Sequence, residues 1–435
     1  MTALMGIRRE DKNKWEKRVP VIPDHVKELK ETHNVQTIIQ PSSIRSYSDK
    51  QYEEAGAIVQ EDVSSCPVIF AVKEIPIDFF ESNKTYVFFS HTIKGQEYNM
   101  PMLKKMMDLN CTLIDYEKVV DENNRRLIFF GRFAGIAGMV DTLWGFGNRL
   151  KKHYKIPNPF SSVKQTYYYP TLNTLKQQLT KIGKSIENKG LSKQITPLVV
   201  GFAGYGNVSK GAQEIIDLLP VVEIQPQQLP MIYEDSSNTC VYKVVFKEED
   251  IVQPIQPQHQ FNLSDYYQRP ERYTSIFQQY LPYLSILMNC IYWDERYPRL
   301  LSKDYFHQHL QDQKSKKPVI VGDISVDLQG AIEPTMKVTT PDKPVFIYNP
   351  QTDTIEDGVT GEGIAIMAVD NLPCELPKDS SKAFSEVLWH FIPEIVHADY
   401  SSNFTQLNLP PEIKNAVILH NGKLTPLYQY INKYL

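Results

Sequence analysis

In the stretch Leu198-Val199-Val200-Gly201-Phe202-Ala203-Gly204-Tyr205-Gly206-Asn207-Val208-Ser209-Lys210-Gly211 a buried-type strand runs into two glycines and then opens a helix. The helix shows one apolar face, Ala212, Ile215, Ile216 and Leu219. Gly204 suits a tight turn, Gly206 lets backbone N–H groups approach a pyrophosphate, and the helix N-terminus attracts its negative charge. Ser209 stands where the dinucleotide fingerprint has its third glycine, and a small residue there still permits close helix–strand packing. The two glycines alone fit an unliganded turn equally well; the flanking strand and helix favour a dinucleotide. Gly204, Gly206, Asn207, Val208 and Ser209 are therefore candidate cofactor contacts. The next strand, Val221-Val222-Glu223-Ile224, ends in Gln225-Pro226-Gln227, with Glu223 inside the strand pattern. With no carboxylate at that tip, Gln225 is expected to face the ribose and NADPH to be preferred over NAD.

Outward from this loop, the first part of the chain alternates strand-like runs (Thr37–Gln40, Val68–Val72, Tyr86–Phe89, Thr112–Ile114) with amphipathic segments such as Asp24–Lys30 and Pro101–Met107. Alternating β and α implies a parallel sheet covered on both faces. A long helical pattern from Ala134 to about Tyr154 places Ile136, Met139, Val140, Leu143, Phe146 and Leu150 on one face. It reads as a helix leaving the first domain for the next. A polar stretch at 155–194 precedes the glycine loop, and 225–275 carries little periodicity and is expected to hold insertions or surface loops. Strand signals return at Ser285–Ile291 and Pro318–Ile324.

The 435 residues, 42% hydrophobic, suffice for two or three domains. A net charge of -4 speaks against nucleic acid as a partner. Cys66, Cys111, Cys240, Cys290 and Cys374 are odd in number and widely spaced, so neither a disulfide framework nor a metal site is expected. The charged run Arg8-Arg9-Glu10-Asp11-Lys12 leaves no room for a signal-peptide core, and no run approaches the roughly 20 apolar residues of a membrane span. A soluble, cytosolic protein is expected, a mitochondrial one less so.

Lys73 closes one apolar run and His91 follows another, so both fall at strand ends. From the residues alone they read as polar groups facing water; so does Arg126, in the turn after Asp121-Glu122-Asn123-Asn124. His307, His309 and Tyr167-Tyr168-Tyr169 read as surface or packing residues.

The run Arg8-Arg9-Glu10 through Trp15-Glu16-Lys17-Arg18-Val19-Pro20 resembles the opening of the alanine dehydrogenase, transhydrogenase and saccharopine dehydrogenase superfamily. Ala71-Val72-Lys73-Glu74, Ser90-His91-Thr92-Ile93-Lys94-Gly95-Gln96, Asp115-Tyr116-Glu117, Gly135-Ile136-Ala137-Gly138, the glycine loop, Asp323-Ile324-Ser325-Val326-Asp327 and Val369-Asp370-Asn371-Leu372-Pro373 follow in order. As a set, covering about 6–435, they resemble the lysine-ketoglutarate reductase half of animal and plant aminoadipic semialdehyde synthases. The likeness is weakest at 155–194 and 225–262.

The resemblance implies an α/β fold of two domains with a cleft between them. One is a Rossmann-like substrate domain, 1–135 with 371–435; the other is a dinucleotide-binding Rossmann domain, 136–370. It implies reductive condensation of lysine and 2-oxoglutarate to saccharopine with NADPH. Lys73 and His91 would be the acid/base pair, tuned by Glu74 and Glu117. Arg18 and Arg126 would meet substrate carboxylates, with Lys94 and Gln96 as further candidates; Asp327 would match an active-site aspartate of alanine dehydrogenase on the cofactor side, and Asp370 would lie near the nicotinamide. Because the chain stops at Leu435, a separate saccharopine dehydrogenase is expected to supply the next activity; a homo-oligomer is compatible. The alternatives are an NAD-dependent, lysine-forming saccharopine dehydrogenase, an alanine dehydrogenase, and a silent homologue that only binds nucleotide.

Overall fold

The computed structural model describes residues 2–309 and 317–435. The chain forms two compact units, Met1–Phe130 with Pro377–Leu435, and Gly131–Leu376. In the first unit the short apolar runs become β1 (Ala3–Ile7), β2 (Val35–Ile39), β3 (Ile58–Val59), β4 (Val68–Phe70), β5 (Thr85–Phe88) and β6 (Thr112–Asp115). All pair in parallel. The helices Pro23–His33 and Met100–Asp108 arise where the amphipathic segments were expected, each with a proline in its first turn, where a missing N–H costs no hydrogen bond.

The second unit contributes β7 (Val199–Ala203), β8 (Val221–Ile224), β9 (Val241–Phe246), a small hairpin β10 (Val252–Pro254) and β11 (Tyr273–Ser275), then β12 (Ile286–Asn289), β13 (Ile320–Asp323), β14 (Val345–Asn349), β15 (Thr354–Asp357) and β16 (Ile364–Met367). The main sheet runs β15-β14-β16-β13-β12-β7-β9-β8. Its strands run in one direction except β14, which pairs antiparallel with both β15 and β16.

This order corrects the reading of 225–275 as insertions and surface loops. The segment holds β9, an interior strand seated between β7 and β8. Lys243 interrupts its apolar run, which hid it; in the fold the buried ammonium is satisfied by Asp217 at 2.8 Å and Glu223 at 3.0 Å. The polar stretch before the glycine loop likewise contains a helix, Leu172–Lys189, whose Leu175, Leu179, Ile182 and Ile186 are buried at helical spacing.

The helix Gly131–Lys152 lies wholly in the second unit, with Ile136, Met139, Val140, Leu143, Phe146 and Leu150 all buried. It packs on the glycine-loop helix Asn207–Ile216 at backbone contact: a Cβ on Gly135 would stand 1.9 Å from the Val208 carbonyl oxygen, and one on Gly211 2.1 Å from that of Arg132. Midway along it Asp141 accepts from Thr166 N–H at 2.8 Å; its other oxygen and both Glu375 carboxyl oxygens are buried with no other hydrogen-bond partner, and the two carboxyls interact with each other. Both are fully buried, and burial first, then the partner's charge, raises Glu375 well above the ordinary value of 4.5. Above that value the unfolded chain gives up a proton that the folded pair keeps, so the pair's contribution to stability falls as pH rises. Glu375→Gln retains a donor to Asp141 without the titration. Its melting temperature relative to the parent should therefore climb as pH rises above the ordinary carboxylate range; a pH-independent difference would contradict the raised Glu375 carboxyl.

The chain then completes the first unit with the helix Pro377–Leu388 and the strands β17 (Val417–His420) and β18 (Lys423–Leu424). The first sheet reads β18-β17-β6-β5-β4-β1-β2-β3, with β17 antiparallel to β6. Ser381 and Ser385 of that helix accept from the backbone N–H groups of Val19 and Ile22 at 2.9 and 3.0 Å, pinning the loop that carries Arg18. Among the described residues no helix is long and apolar enough to cross a membrane.

Candidate active site and dinucleotide pocket

In the first unit β6, β5, β4 and β1 are consecutive neighbours. Each delivers polar residues just past its carboxyl end, where parallel sheets present ligand sites. Lys73 and Glu74 follow β4, Ser90 and His91 follow β5, Asp115 and Glu117 end β6, and Arg8 and Glu10 follow β1. His91 Nδ1 lies 2.7 Å from Glu74 Oε1, and Lys12 Nζ lies 3.0 Å from Glu74 Oε2. Burial alone would raise the Glu74 carboxyl; the hydrogen bond and charge of His91, with Lys12 beyond, hold it well below the usual range instead. It is an anion that orients His91.

His91 also has φ of 51°, a left-handed conformation uncommon outside glycine and asparagine. Such strain persists only where the surroundings enforce it. Here they do: Asp115, fully buried, accepts from Ser90 N at 3.1 Å, from the Ser90 hydroxyl, and from Glu117 N at 2.7 Å. Burial, partly offset by these donors, pushes Asp115 up to about 6.

Glu10 performs the equivalent task for Lys73. Its carboxyl, buried under the loop after β1, accepts from Val72 N at 2.6 Å and Lys73 N at 3.0 Å. Burial and the nearby Glu16 raise it to about 7 against those hydrogen bonds. The Lys73 ammonium is lowered from its ordinary value by burial and then by the adjacent Arg18 charge. A larger share of it is neutral amine near neutral pH than for an exposed lysine, which suits a proton acceptor.

The expected substrate arginines differ from one another. Arg18 is buried, stacks 4.2 Å over the Phe130 ring and spends its Nε and Nη2 on Glu16, at 2.7 and 2.6 Å. It reaches Lys73 as a charge, and its bidentate partner is internal. Arg126 is exposed and lies 3.5 Å from Glu117, so its guanidinium faces water on the same rim. Lys94 and Gln96 sit on the turn after His91; Gln96 Oε1 is buried without a hydrogen-bond partner. Sequence reasoning missed Glu10, Glu16 and Asp115 as site residues. Each stands inside a quoted motif, but the backbone groups that Glu10 and Asp115 hold lie after other strands.

In the second unit the glycine loop forms as expected. Gly204 has φ of 91°, and a Cβ there would press 3.0 Å from Ile291. Gly206 caps the helix with no side-chain acceptor, and a Cβ on it would meet nothing within 4 Å. Open space and uncapped N–H groups coincide, a fit for a pyrophosphate. Asn207 is exposed, Val208 partly so, and Ser209 is buried and accepts from Gln213 Nε2 at 2.9 Å. Beside the loop is a pocket of about 290 Å³ walled by Tyr205, Tyr266, Tyr267, Tyr292, Trp293 and Tyr297, with Glu248 at its edge.

Gln225, the expected ribose contact, does not line it. Gln225 follows β8, the outer strand, and its backbone N–H donates to Gln228 Oε1 at 2.7 Å. Between β7 and β8 lies β9, so the argument for NADPH from the tip of β8 loses its footing. Asp327 and Asp370 are exposed on turns after β13 and β16, and the Asp327 carbonyl accepts from Gly330 N at 3.0 Å. The buried aspartate of that motif is Asp323, bonded to Asn289 Nδ2 at 2.8 Å and Thr335 Oγ1 at 2.6 Å. His309 stacks on Tyr305, and Tyr167 packs on Tyr168.

Two family models match parts of the chain, the second of them running from the second unit into the end of the first. Residues 6–137 match the alanine dehydrogenase/PNT N-terminal domain, and residues 295–426 match its C-terminal domain. An alpha-aminoadipic semialdehyde synthase of Arabidopsis thaliana is 37% identical over 98% of this chain, which spans 41% of that protein's length. A saccharopine dehydrogenase [NAD(+), L-lysine-forming] of Yarrowia lipolytica is 25% identical, over 93% of this chain and 96% of its own. The solved structure of an L-alanine dehydrogenase superposes with a TM-score of 0.62 at 17% identity, covering 99% of each chain, and so shares the two-domain α/β fold.

Proposed function

Since this chain carries the alanine dehydrogenase/PNT domains and is homologous along nearly its whole length to one region of the alpha-aminoadipic semialdehyde synthases, we propose that it is a nicotinamide-dependent oxidoreductase joining lysine to 2-oxoglutarate as saccharopine. The observation that carries the reading is the pairing of a desolvated Lys73 with a Glu74-anchored His91 at adjacent strand ends. Condensing an amine with a ketone needs one group to take a proton from the ammonium and another to protonate the departing hydroxyl, and two neighbouring bases of different kind can divide that work.

Lys73 takes the proton from the substrate ammonium. His91, oriented by Glu74, protonates the oxygen that leaves as water. Glu10 and Asp115 hold the strand ends on which these two ride, and Glu117 sets Arg126 for a substrate carboxylate, with Lys94 and Gln96 beside it. Burial, with the Arg18 charge second, keeps Lys73 acidic. On this reading the first unit is the substrate domain and the second the dinucleotide domain, whose Gly204–Ser209 backbone would hold a nicotinamide dinucleotide that supplies or accepts the hydride. Asp327 and Asp370 keep their proposed places near the nicotinamide only as exposed turn residues.

The test is absorbance at the nicotinamide band with the purified chain. Lysine plus 2-oxoglutarate should oxidise reduced cofactor, and omission of either substrate should stop it. Saccharopine should drive the reverse. Activity with alanine and pyruvate instead would replace this substrate assignment.

A further inference from the structure

The sheet order of the second unit places a different residue at the ribose from the one that chain order suggests. β9 pairs in parallel with β7, Ala203 opposite Phe246, and Gly204 N donates to the Phe246 carbonyl at 3.0 Å. The end of β9 is thus tied to the glycine turn itself. Two residues later comes Glu248, which lines the same pocket as Gly204 and Gly206. In a dinucleotide domain the carboxylate that receives the ribose hydroxyls stands at the tip of the strand beside the glycine-loop strand. Two phenols hold this one: Tyr267 Oη donates to Oε1 at 2.5 Å and Tyr205 Oη to Oε2 at 3.2 Å. Tyr205 belongs to the glycine loop, so the carboxylate is anchored to the turn that would cradle the phosphates.

We propose that Glu248, held by Tyr205 and Tyr267, is the adenosine-ribose ligand of this chain and selects NAD(H) against NADP(H). The proposal rests on the glycine-loop pocket being the dinucleotide site. A 2′-phosphate would meet Glu248 with Glu249 following it, and among the described residues no lysine or arginine lines the pocket to compensate. The aromatic walls offer flat faces to an adenine, indifferent to the phosphate. The carboxylate therefore decides.

Binding to the full chain, read by energy transfer from tryptophan to reduced nicotinamide, tests this without requiring turnover; Trp293 lies in the pocket wall. NADH should bind about tenfold or more tighter than NADPH, as like charges brought together across an interface are costly. Glu248→Gln should shrink that ratio about tenfold, mainly by strengthening NADPH, and Tyr267→Phe should shrink it less. NADPH binding as tightly as NADH to the parent chain overturns the proposal whatever the variants do. A third variant separates it from the reading beneath: Gly206→Leu should abolish binding of both cofactors. If both bind that variant undiminished, the pocket itself has been misassigned.

Discussion

Lys73→Met and His91→Asn should each lower turnover by about 10²- to 10⁴-fold, the usual contribution of a positioned acid or base, while NADH or NADPH affinity changes little. Methionine keeps the half-buried apolar stem of Lys73 and removes only the amine. Asparagine tolerates the left-handed backbone at position 91 and still offers Glu74 a hydrogen bond, yet cannot exchange protons near neutral pH. His91→Gln lacks that backbone tolerance, so comparing the two separates lost chemistry from a distorted strand end. The measurement is steady-state rate with lysine and 2-oxoglutarate beside cofactor titration. Near-normal rates in both variants would remove the pair from the mechanism.

Gly135→Ala should destabilise the second unit by about 3 kcal/mol or more, the upper range for overpacking. The added methyl would lie 1.9 Å from the Val208 carbonyl oxygen and 2.6 Å from the Ala212 nitrogen. Both are backbone atoms of a helix, so no side chain can turn aside, and the two helices must separate. For a unit of this size that corresponds to a fall in its thermal midpoint of about 6–12 °C. The helix forced away is the one that opens after Gly206, so dinucleotide affinity should fall with it. Gly206→Ala gives the contrast: its φ of -75° is ordinary for alanine and its Cβ meets nothing. That variant should keep its thermal midpoint while losing affinity, because the methyl occupies the space left for the phosphates. Equal melting temperatures for Gly135→Ala and the parent would mean that the helices do not approach as described.

What the sequence by itself determined was local. The strand, glycine turn and helix around Gly204 are contiguous, so apolar periodicity and two glycines were enough to read them. The positions of Lys73 and His91 at strand ends were legible for the same reason, since each directly follows a short apolar run. Their roles were not, because a strand-end lysine and histidine look alike whether they face water or a buried carboxylate. The tertiary structure alone decided the rest. Glu10 reaches Val72 across 62 residues, Glu16 occupies the guanidinium of Arg18, and Asp141 meets Glu375 from the far end of the second unit. Sheet order belongs to the same class. In a parallel sheet every strand is joined to the next by a crossover, and nothing in the periodicity of β8 or β9 says which of them lies against β7. Lys243 breaks the apolar run of β9, so periodicity points to β8 and to Gln225 at its tip. Once Asp217 and Glu223 neutralise that lysine inside the fold, β9 takes the inner place, and its tip brings Glu248 to the pocket.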